Sequence, residues 1–178
     1  MAVECHIQSW GSYSNTCQFP SSNLLFQVQS ISASEVASTM QELITWDLKK
    51  CSVSDLSFTE KVRLVSTVRG PVHGITSSFD CDMILAEGVK VKNVLSTSPM
   101  NPPTHWKQTT FLFDNAVTVA VGDVIEGTIE IRRKQRNERE LQVQLKLNHN
   151  QTVICNQKYS VSWYATSTAV CPVQTMAG

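Results

Sequence analysis

Thr104, His105 and Trp106 stand in a row, directly after two prolines and directly before a strand-like apolar run. A histidine can hold or release a proton near neutral pH, and a tryptophan offers a flat apolar wall with one polar edge. The residues alone allow two interpretations. The motif is either a loop anchored by a buried tryptophan, which is favoured for the stretch taken alone, or half of an active site whose other half lies elsewhere.

The residues do not indicate a complete catalytic or cofactor site. Phosphate-binding and adenosyl-binding loops need closely spaced glycines, and no two of the seven glycines are separated by a single residue. We therefore expect the chain to bind no cofactor. Zinc sites need closely spaced cysteines and histidines, and Cys5-His6 is the only adjacent pair of these two types; strand neighbours point to opposite faces, so no metal site is predicted either. His73 is predicted to be structural, whereas a Cys-His nucleophile pair stays open, because such partners meet only in the fold.

Composition narrows the class of protein. The 178 residues suit one domain, and 15 basic residues balance 15 acidic ones, a charge balance that argues against a nucleic-acid partner. The basic cluster at 132–139 is interpreted as a solvated hairpin loop, with a nucleic-acid or acidic-peptide patch as the alternative. No apolar run has the length of a membrane span. Six scattered cysteines without a secretory signal predict reduced, mostly buried thiols in a cytosolic or nuclear protein.

The elements that must position the motif are mostly strands. Apolar residues recur with period two in several runs, among them 24–30, 61–68, 124–131 and 140–147. Turn signals separate these runs every 10–15 residues or so, which is typical of antiparallel sandwiches and barrels. We predict an all-β, mainly antiparallel barrel of about nine to eleven strands, without a Rossmann-like domain. A break is predicted at Gly70-Pro71 and a loop over 114–123.

One short helix is predicted in the segment Ser32–Leu43, centred near Val36 to Met40. Val36, Met40 and Leu43 follow a helical spacing, and Ser32 with Glu35 has the form of a capping box. We assign residues 1–163 to the barrel and expect 164–178 to be a disordered tail, because that segment has no periodicity.

The segment "LSTSPMNPPTHWKQTTFLF", residues 95–113, resembles the C-terminal β-barrel of the protein arginine methyltransferases. The resemblance rests on Ser-Thr-x-Pro, a short proline-containing loop, Thr-His-Trp, and Lys-Gln-Thr before an apolar strand. It extends through "GPVHGITSSFDCDM" upstream and "VAVGDVIEGTIEIRR" downstream, and is strongest over residues 30–163. The resemblance implies that Thr104, His105 and Trp106 help to wall the groove that receives the substrate arginine, and that the histidine contacts acidic residues of the catalytic domain.

The other half of that site is absent from the sequence. The family's glycine-rich S-adenosylmethionine loop and its pair of catalytic glutamates have no counterpart, so no catalytic residue is assigned and the chain is expected to be inactive alone. The implied partners are a methyltransferase catalytic domain, in cis or in trans, and arginine-containing protein substrates. The interval between Ser9 and Leu24 is too short for the family's helical dimerization arm, which makes the family's dimer doubtful. A stand-alone protein-interaction module, or a truncated isoform without a methyltransferase role, is the alternative.

Overall fold

The computed structural model describes residues 1–9, 26–85, 88–135, 137 and 139–161, which form two antiparallel sheets around one apolar core. The six-stranded sheet has the order β2-β7-β5-β1-β3, and β6 pairs with β5. The four-stranded sheet has the order β10-β9-β8-β4. The strands are β1 (Ala2–Gln8), β2 (Phe26–Gln29), β3 (Gln41–Thr45), β4 (Phe58–Val65), β5 (Gly70–Ile84), β6 (Lys90–Ser96), β7 (Gln108–Val119), β8 (Val124–Arg133), β9 (Leu141–His149) and β10 (Thr152–Val161).

The predicted all-β antiparallel architecture is confirmed, with ten strands in the described residues. The described ranges contain no α-helix, and none of their helical turns is long and apolar enough to cross a membrane. The expected tail, residues 164–178, and the interval that would have to hold a helical arm both lie outside the described residues.

The helix predicted near Val36 to Met40 is wrong. Its first turn exists as a 3-10 turn, Ala33–Glu35, and the Ser32 N–H donates to Glu35 Oε2 at 2.8 Å. The chain is extended beyond this turn, because both sheets offer backbone partners there. Ala37 N–H donates to the carbonyl of Ile7 at 2.9 Å, and the Ala37 carbonyl accepts from Thr67 N–H at 3.0 Å. These interactions between sheets outweigh a weak helical pattern that is rich in serine and threonine.

Two predicted interruptions are displaced along the chain, because strand extends into them: the break between β4 and β5 covers residues 66–69, and the loop between β7 and β8 covers residues 120–123. β5 begins at Gly70 and includes Pro71, which is exposed and lies at the start of the strand, where a missing N–H is tolerated. β7 continues through the predicted loop to Val119, because residues 117–119 pair with residues 70–72 of β5. The long β5 and β7 strands therefore support each other over most of their lengths.

The two sheets are joined at their edges by side-chain amides as well as by the core. Gln41 Nε2 donates to the Lys61 carbonyl at 2.8 Å, and its Oε1 accepts from Arg63 N–H at 2.7 Å, which links β3 to β4. Gln157 Nε2 donates to Asp114 Oδ1 at 2.7 Å, and its Oε1 accepts from Asp114 N–H at 3.3 Å, which links β10 to β7. We call such a side chain, accepting one hydrogen bond and donating another between two segments, a glutamine bridge.

The described cysteines are free thiols. Cys5 and Cys155 are buried, and Cys51 and Cys81 are partly buried. Burial raises the pKa of the Cys5 thiol to about 12, so this group is an unreactive part of the core. Cys17 and Cys171 lie outside the described residues.

The basic cluster lies in the β8–β9 hairpin, where a solvated loop was predicted. Arg132 Nε pairs with Glu130 Oε1 at 3.0 Å, and Lys134 Nζ pairs with Glu140 Oε2 at 2.8 Å. These acidic neighbours offset part of the positive charge of the hairpin.

Close packing of β8 against β9 depends on Gly127, which has φ +157°. A Cβ at this position would lie 1.9 Å from the Lys146 carbonyl oxygen. We expect Gly127→Ala to lower the free energy of unfolding by about 3 kcal/mol or more, since it combines overpacking with backbone strain.

Gly122→Ala is the matched control, because Gly122 has φ +89° but no atom within 4 Å of the added Cβ. Its cost should be limited to the backbone term of about 1–2 kcal/mol. Urea unfolding of both variants checks the difference, and equal losses would show that the close approach of the strands is not the cause.

Candidate functional site

The Thr-His-Trp motif lies in a loop, residues 97–107, that connects β6 to β7. We call it the Thr-His-Trp loop. His105 is exposed, and Trp106 has 57% of its surface exposed. The two rings form an edge-to-face pair with centroids 6.1 Å apart and planes at 80°. The loop therefore presents a joined aromatic pair to solvent and does not bury its tryptophan in the core.

The entry to the loop is fixed at Thr97, which is 1% exposed. Its backbone N–H donates to the Phe79 carbonyl at 2.9 Å. Its hydroxyl accepts from Phe79 N–H at 2.7 Å and is 3.1 Å from the Phe79 carbonyl. Because β6 ends at Ser96, these bonds extend its pairing with β5 by one residue.

The exit of the loop is fixed at Gln108, which is 4% exposed. Its Nε2 donates to the Thr97 carbonyl at 2.5 Å, and its Oε1 accepts from Ile31 N–H at 2.8 Å. This is a third glutamine bridge, and it joins the two ends of the loop to the segment that follows β2. Gln108 is the middle residue of the Lys-Gln-Thr motif that carries the resemblance, but no role was predicted for it, although a glutamine at the first position of a strand offers a donor and an acceptor where a ladder begins.

The body of the loop consists of short hydrogen-bonded turns. Asn101 N–H donates to the Ser98 carbonyl at 3.0 Å, and Asn101 Nδ2 donates to Ser96 Oγ at 2.6 Å. Lys107 N–H donates to the Thr104 carbonyl at 3.3 Å, which closes a turn around His105 and Trp106. Lys107 has φ +56°, a strained conformation for a non-glycine residue. The exposed pair is therefore carried on an ordered turn.

Thr104 behaves differently from its two neighbours. It is half-buried, and its Oγ1 is buried without a hydrogen-bond partner within the described structure. The structure thus places Thr104 towards the interior and His105 and Trp106 towards solvent. Of the three residues that the sequence predicts, only these last two are available to a partner surface.

A buried polar layer lies on the outer face of the six-stranded sheet, opposite the apolar core. Gln8 Oε1 accepts from the hydroxyls of Thr76 and Thr110, both at 2.9 Å, and these two hydroxyls are 2.8 Å apart. The side chains of His6 and Ser78 belong to the same face, by the strand register, and have no hydrogen-bond partner among the described residues. This layer could not be predicted from the sequence, because strand alternation indicates which residues share a face but not that a polar face is buried.

Burial lowers the pKa of His6 to about 4, below the ordinary value of 6.5. No group of three or more histidine, cysteine, aspartate or glutamate side chains among the described residues is arranged to hold a metal ion. His73, predicted to be structural, lies half-buried in β5, and burial lowers its pKa as well. The described residues thus provide an exposed aromatic pair and a buried polar layer.

The depressed pKa of His6 predicts a specific acid sensitivity. Between pH 6.5 and about 4 the unfolded chain binds a proton at His6 that the folded chain does not, so stability falls as the pH falls through this window. The loss should be on the order of 3 kcal/mol by pH 4. Glu4, whose pKa is raised by burial and by Asp80 and Glu42, acts in the opposite direction.

The difference between wild type and His6→Leu in the pH dependence of the free energy of unfolding isolates the contribution of His6. Urea unfolding measured from pH 7 to pH 4 should show a smaller loss of stability for His6→Leu than for wild type. His105→Leu, at an exposed histidine, is the control and should follow wild type. A His6→Leu profile parallel to that of wild type would contradict the assignment.

The exposure of the loop predicts that its two rings contribute little to stability. We expect His105→Ala to change the free energy of unfolding by less than about 0.5 kcal/mol and Trp106→Ala by less than about 1 kcal/mol. Phe113→Ala, at a core residue that is 1% exposed, should cost about 3–5 kcal/mol. Urea unfolding checks all three values, and a loss for His105→Ala comparable to that for Phe113→Ala would show that the histidine supports the barrel.

Comparison with known proteins relates this geometry to a family. The chain shares 31% identity over 118 residues with protein arginine N-methyltransferase 1 of Saccharomyces cerevisiae, covering 66% of this chain and 34% of that protein. It shares 33% identity over 104 residues with protein arginine N-methyltransferase 2 of Homo sapiens, covering 58% and 24% respectively. The chain thus spans about a third or less of the length of these relatives.

Solved structures support the fold. A chain of the Trypanosoma brucei PRMT1 enzyme-prozyme heterotetrameric complex with AdoHcy matches with a TM-score of 0.76 and 19% identity, over 90% of this chain and 56% of that one. Arabidopsis thaliana protein arginine methyltransferase 10 matches with a TM-score of 0.64 and 19% identity, over 76% and 40%. The family model of the arginine methyltransferase oligomerization subdomain matches residues 6–152. The chain belongs to the protein arginine methyltransferase family and carries the family's C-terminal barrel subdomain.

Proposed function

We propose that this barrel presents the Thr-His-Trp loop to a methyltransferase catalytic domain and that His105 and Trp106 wall the groove that receives a substrate arginine. The catalytic domain is supplied in cis or in trans, and with it the S-adenosylmethionine that the chain alone does not bind. The barrel by itself transfers no methyl group. The observation that carries the proposal is the exposure of an aromatic pair on a loop whose two ends are fixed by buried hydrogen bonds.

The chemistry of the exposed pair suits an arginine substrate. A guanidinium group is planar and weakly hydrated, and it stacks on aromatic faces. A tryptophan face attracts such a cation by about 0.5–1 kcal/mol when exposed and more when a closing surface removes water. A catalytic domain placed against the loop would remove water in this way, which supports a role for the loop as one wall of a two-sided groove.

Fixing the loop in advance also supports this role. Transfer between a cofactor and a guanidinium requires both groups to be held in a narrow range of geometries. A wall that moved freely would lose that orientation, and ordering it on binding would cost affinity. The hydrogen bonds at Thr97 and Gln108 reduce this cost before any partner arrives.

The proposal also includes a partner chain and a location in the cell, each supported by its own observation. The family model is that of an oligomerization subdomain, and one matched structure is a heterotetrameric enzyme-prozyme complex, which supports assembly with another chain. The four described cysteines are free thiols, which supports a cytosolic or nuclear location.

The test is a chimera in which the catalytic domain of the Saccharomyces cerevisiae relative precedes Met1, compared with the two parts mixed and with each part alone. Methyl transfer from labelled S-adenosylmethionine to an arginine-glycine peptide is measured. We expect no transfer by the barrel alone and a gain over the catalytic domain alone in the chimera. His105→Ala and Trp106→Ala should each reduce this gain about tenfold, as expected for lost orientation.

Val153→Ala is the matched control, since Val153 is 66% exposed on β10. It should leave transfer unchanged. Methyl transfer by the barrel alone, or loop variants that behave like Val153→Ala, would contradict the proposal.

A second function, that of a protein-interaction module without a methyltransferase role, is favoured by one observation. The β5–β6 hairpin extends beyond the paired part of the six-stranded sheet and exposes Met83, Ile84, Val89 and Val91 by 39–60%. This alternative predicts no gain in the chimera together with association of the isolated chain. Sedimentation of wild type against Ile84→Asp measures that association, and a chain that is monomeric in both forms argues against the module.

A further inference from the structure

The Thr-His-Trp loop has two ends that need separate attachment. Thr97 fixes the first end to β5 through the backbone of Phe79. At the second end, Lys107 turns the chain with φ +56°, and β7 begins at the next residue, Gln108. Because a turn of this kind carries strain, the direction in which Trp106 leaves the barrel depends on how firmly the residue after the turn is held.

Gln108 joins three segments with one side chain. Its amide nitrogen donates to Thr97 at the start of the loop, and its amide oxygen accepts from Ile31, two residues beyond the end of β2. Its backbone pairs with Gln29 of β2. The side chain thus ties the exit of the loop to its entry and ties both to the six-stranded sheet.

The surroundings of this amide make its hydrogen bonds persistent. Gln108 and Thr97 are both almost fully buried, as is Ile31 at 4% exposed, so water does not compete for the donor and the acceptor. By contrast, the turn that carries His105 and Trp106 is exposed and is closed by a single 3.3 Å bond between Lys107 N–H and the Thr104 carbonyl. The order of the exposed turn therefore depends on its buried base more than on its own bonds.

We infer that Gln108 is the positioning residue of the Thr-His-Trp loop: its buried amide sets the placement of His105 and Trp106 without touching a substrate. The inference rests on the proposed function of the loop, but its test does not require any activity. Positioning requires both the donor and the acceptor of the amide, because the acceptor holds the segment after β2 and the donor closes the base of the loop.

Gln157 provides a matched control within the same chain. It is also a buried glutamine bridge with one donor and one acceptor bond, but it joins β10 to β7 at Asp114. Gln108→Met and Gln157→Met remove the same chemical group with little change in side-chain length. Only the first removes it from the base of the loop.

Amide hydrogen exchange, followed residue by residue by NMR, is the direct test. In Gln108→Met we expect protection at Asn101 and Lys107 to fall at least tenfold and the indole N–H signal of Trp106 to shift, while core amides of β8 and β9 keep most of their protection. In Gln157→Met the loop amides and this indole should keep their wild-type values. Unchanged loop protection in Gln108→Met, or an equal loss in both variants, would overturn the inference.

The Gln108→Glu variant adds a second measurement, the pH dependence of loop protection, which a purely structural role for Gln108 would leave unchanged. A protonated carboxyl retains one donor and one acceptor, whereas a carboxylate has no donor. Loop protection relative to wild type at the same pH should therefore be near normal under acidic conditions and lost under alkaline conditions. Loop protection that does not depend on pH in this variant, or a chain that unfolds at every pH, would show that Gln108 supports the barrel and does not position the loop.

The two proposals can fail separately. If Gln108→Met leaves the loop ordered while His105→Ala and Trp106→Ala abolish the gain in the chimera, positioning by Gln108 is wrong and the function of the loop stands. If Gln108→Met disorders the loop but His105→Ala and Trp106→Ala leave methyl transfer by the chimera unchanged, positioning by Gln108 stands and the proposed function of the loop is wrong.

Discussion

The structure depends on three glutamine side chains, of which Gln108 and Gln157 are buried, at the places where backbone pairing between strands stops. A β-sheet edge exposes donors and acceptors that must be satisfied when another layer covers them. Gln41 and Gln157 supply these bonds at the two edges where the six-stranded and four-stranded sheets meet. Gln108 supplies them where β6 and β7 diverge into the Thr-His-Trp loop. An amide suits all three sites because it donates and accepts at once, and at the buried Gln108 and Gln157 it does so without carrying charge into the interior.

This arrangement explains how an exposed, ordered loop can coexist with a packed barrel. The core is formed by both sheets and does not include His105 or Trp106, so these residues are free to serve a partner surface. Thr97 and Gln108 confine the loop without covering its tip. The buried polar layer of His6, Gln8 and Thr76 lies in the same six-stranded sheet. The free-energy cost of burying it is reduced by the hydrogen bonds that the hydroxyls of Thr76 and Thr110 donate to the Gln8 amide oxygen.

Much of the fold could be predicted from the sequence, and the failures have identifiable physical causes. Alternation located β8 and β9 within two residues, because one face of each strand is apolar. The helix near Val36 to Met40 was wrong because backbone bonds to both sheets decide that segment, and no local pattern reveals them. For the site, the resemblance predicted Thr104, His105 and Trp106, and the structure exposes the last two. Gln108 belongs to the same motif, but its role could not be predicted, because it is defined by a contact with Ile31, which is 77 residues away in the chain.

The measurement that tests the central claim most directly is NMR mapping of the surface that a catalytic domain contacts. The labelled barrel is titrated with the catalytic domain of the Saccharomyces cerevisiae relative, and shifts are followed at the His105 ring, the Trp106 indole and the backbone of Val153. We predict that the His105 and Trp106 signals shift together and saturate while Val153 stays in place. Shifts confined to other surfaces, with the Thr-His-Trp loop unchanged, would contradict the account.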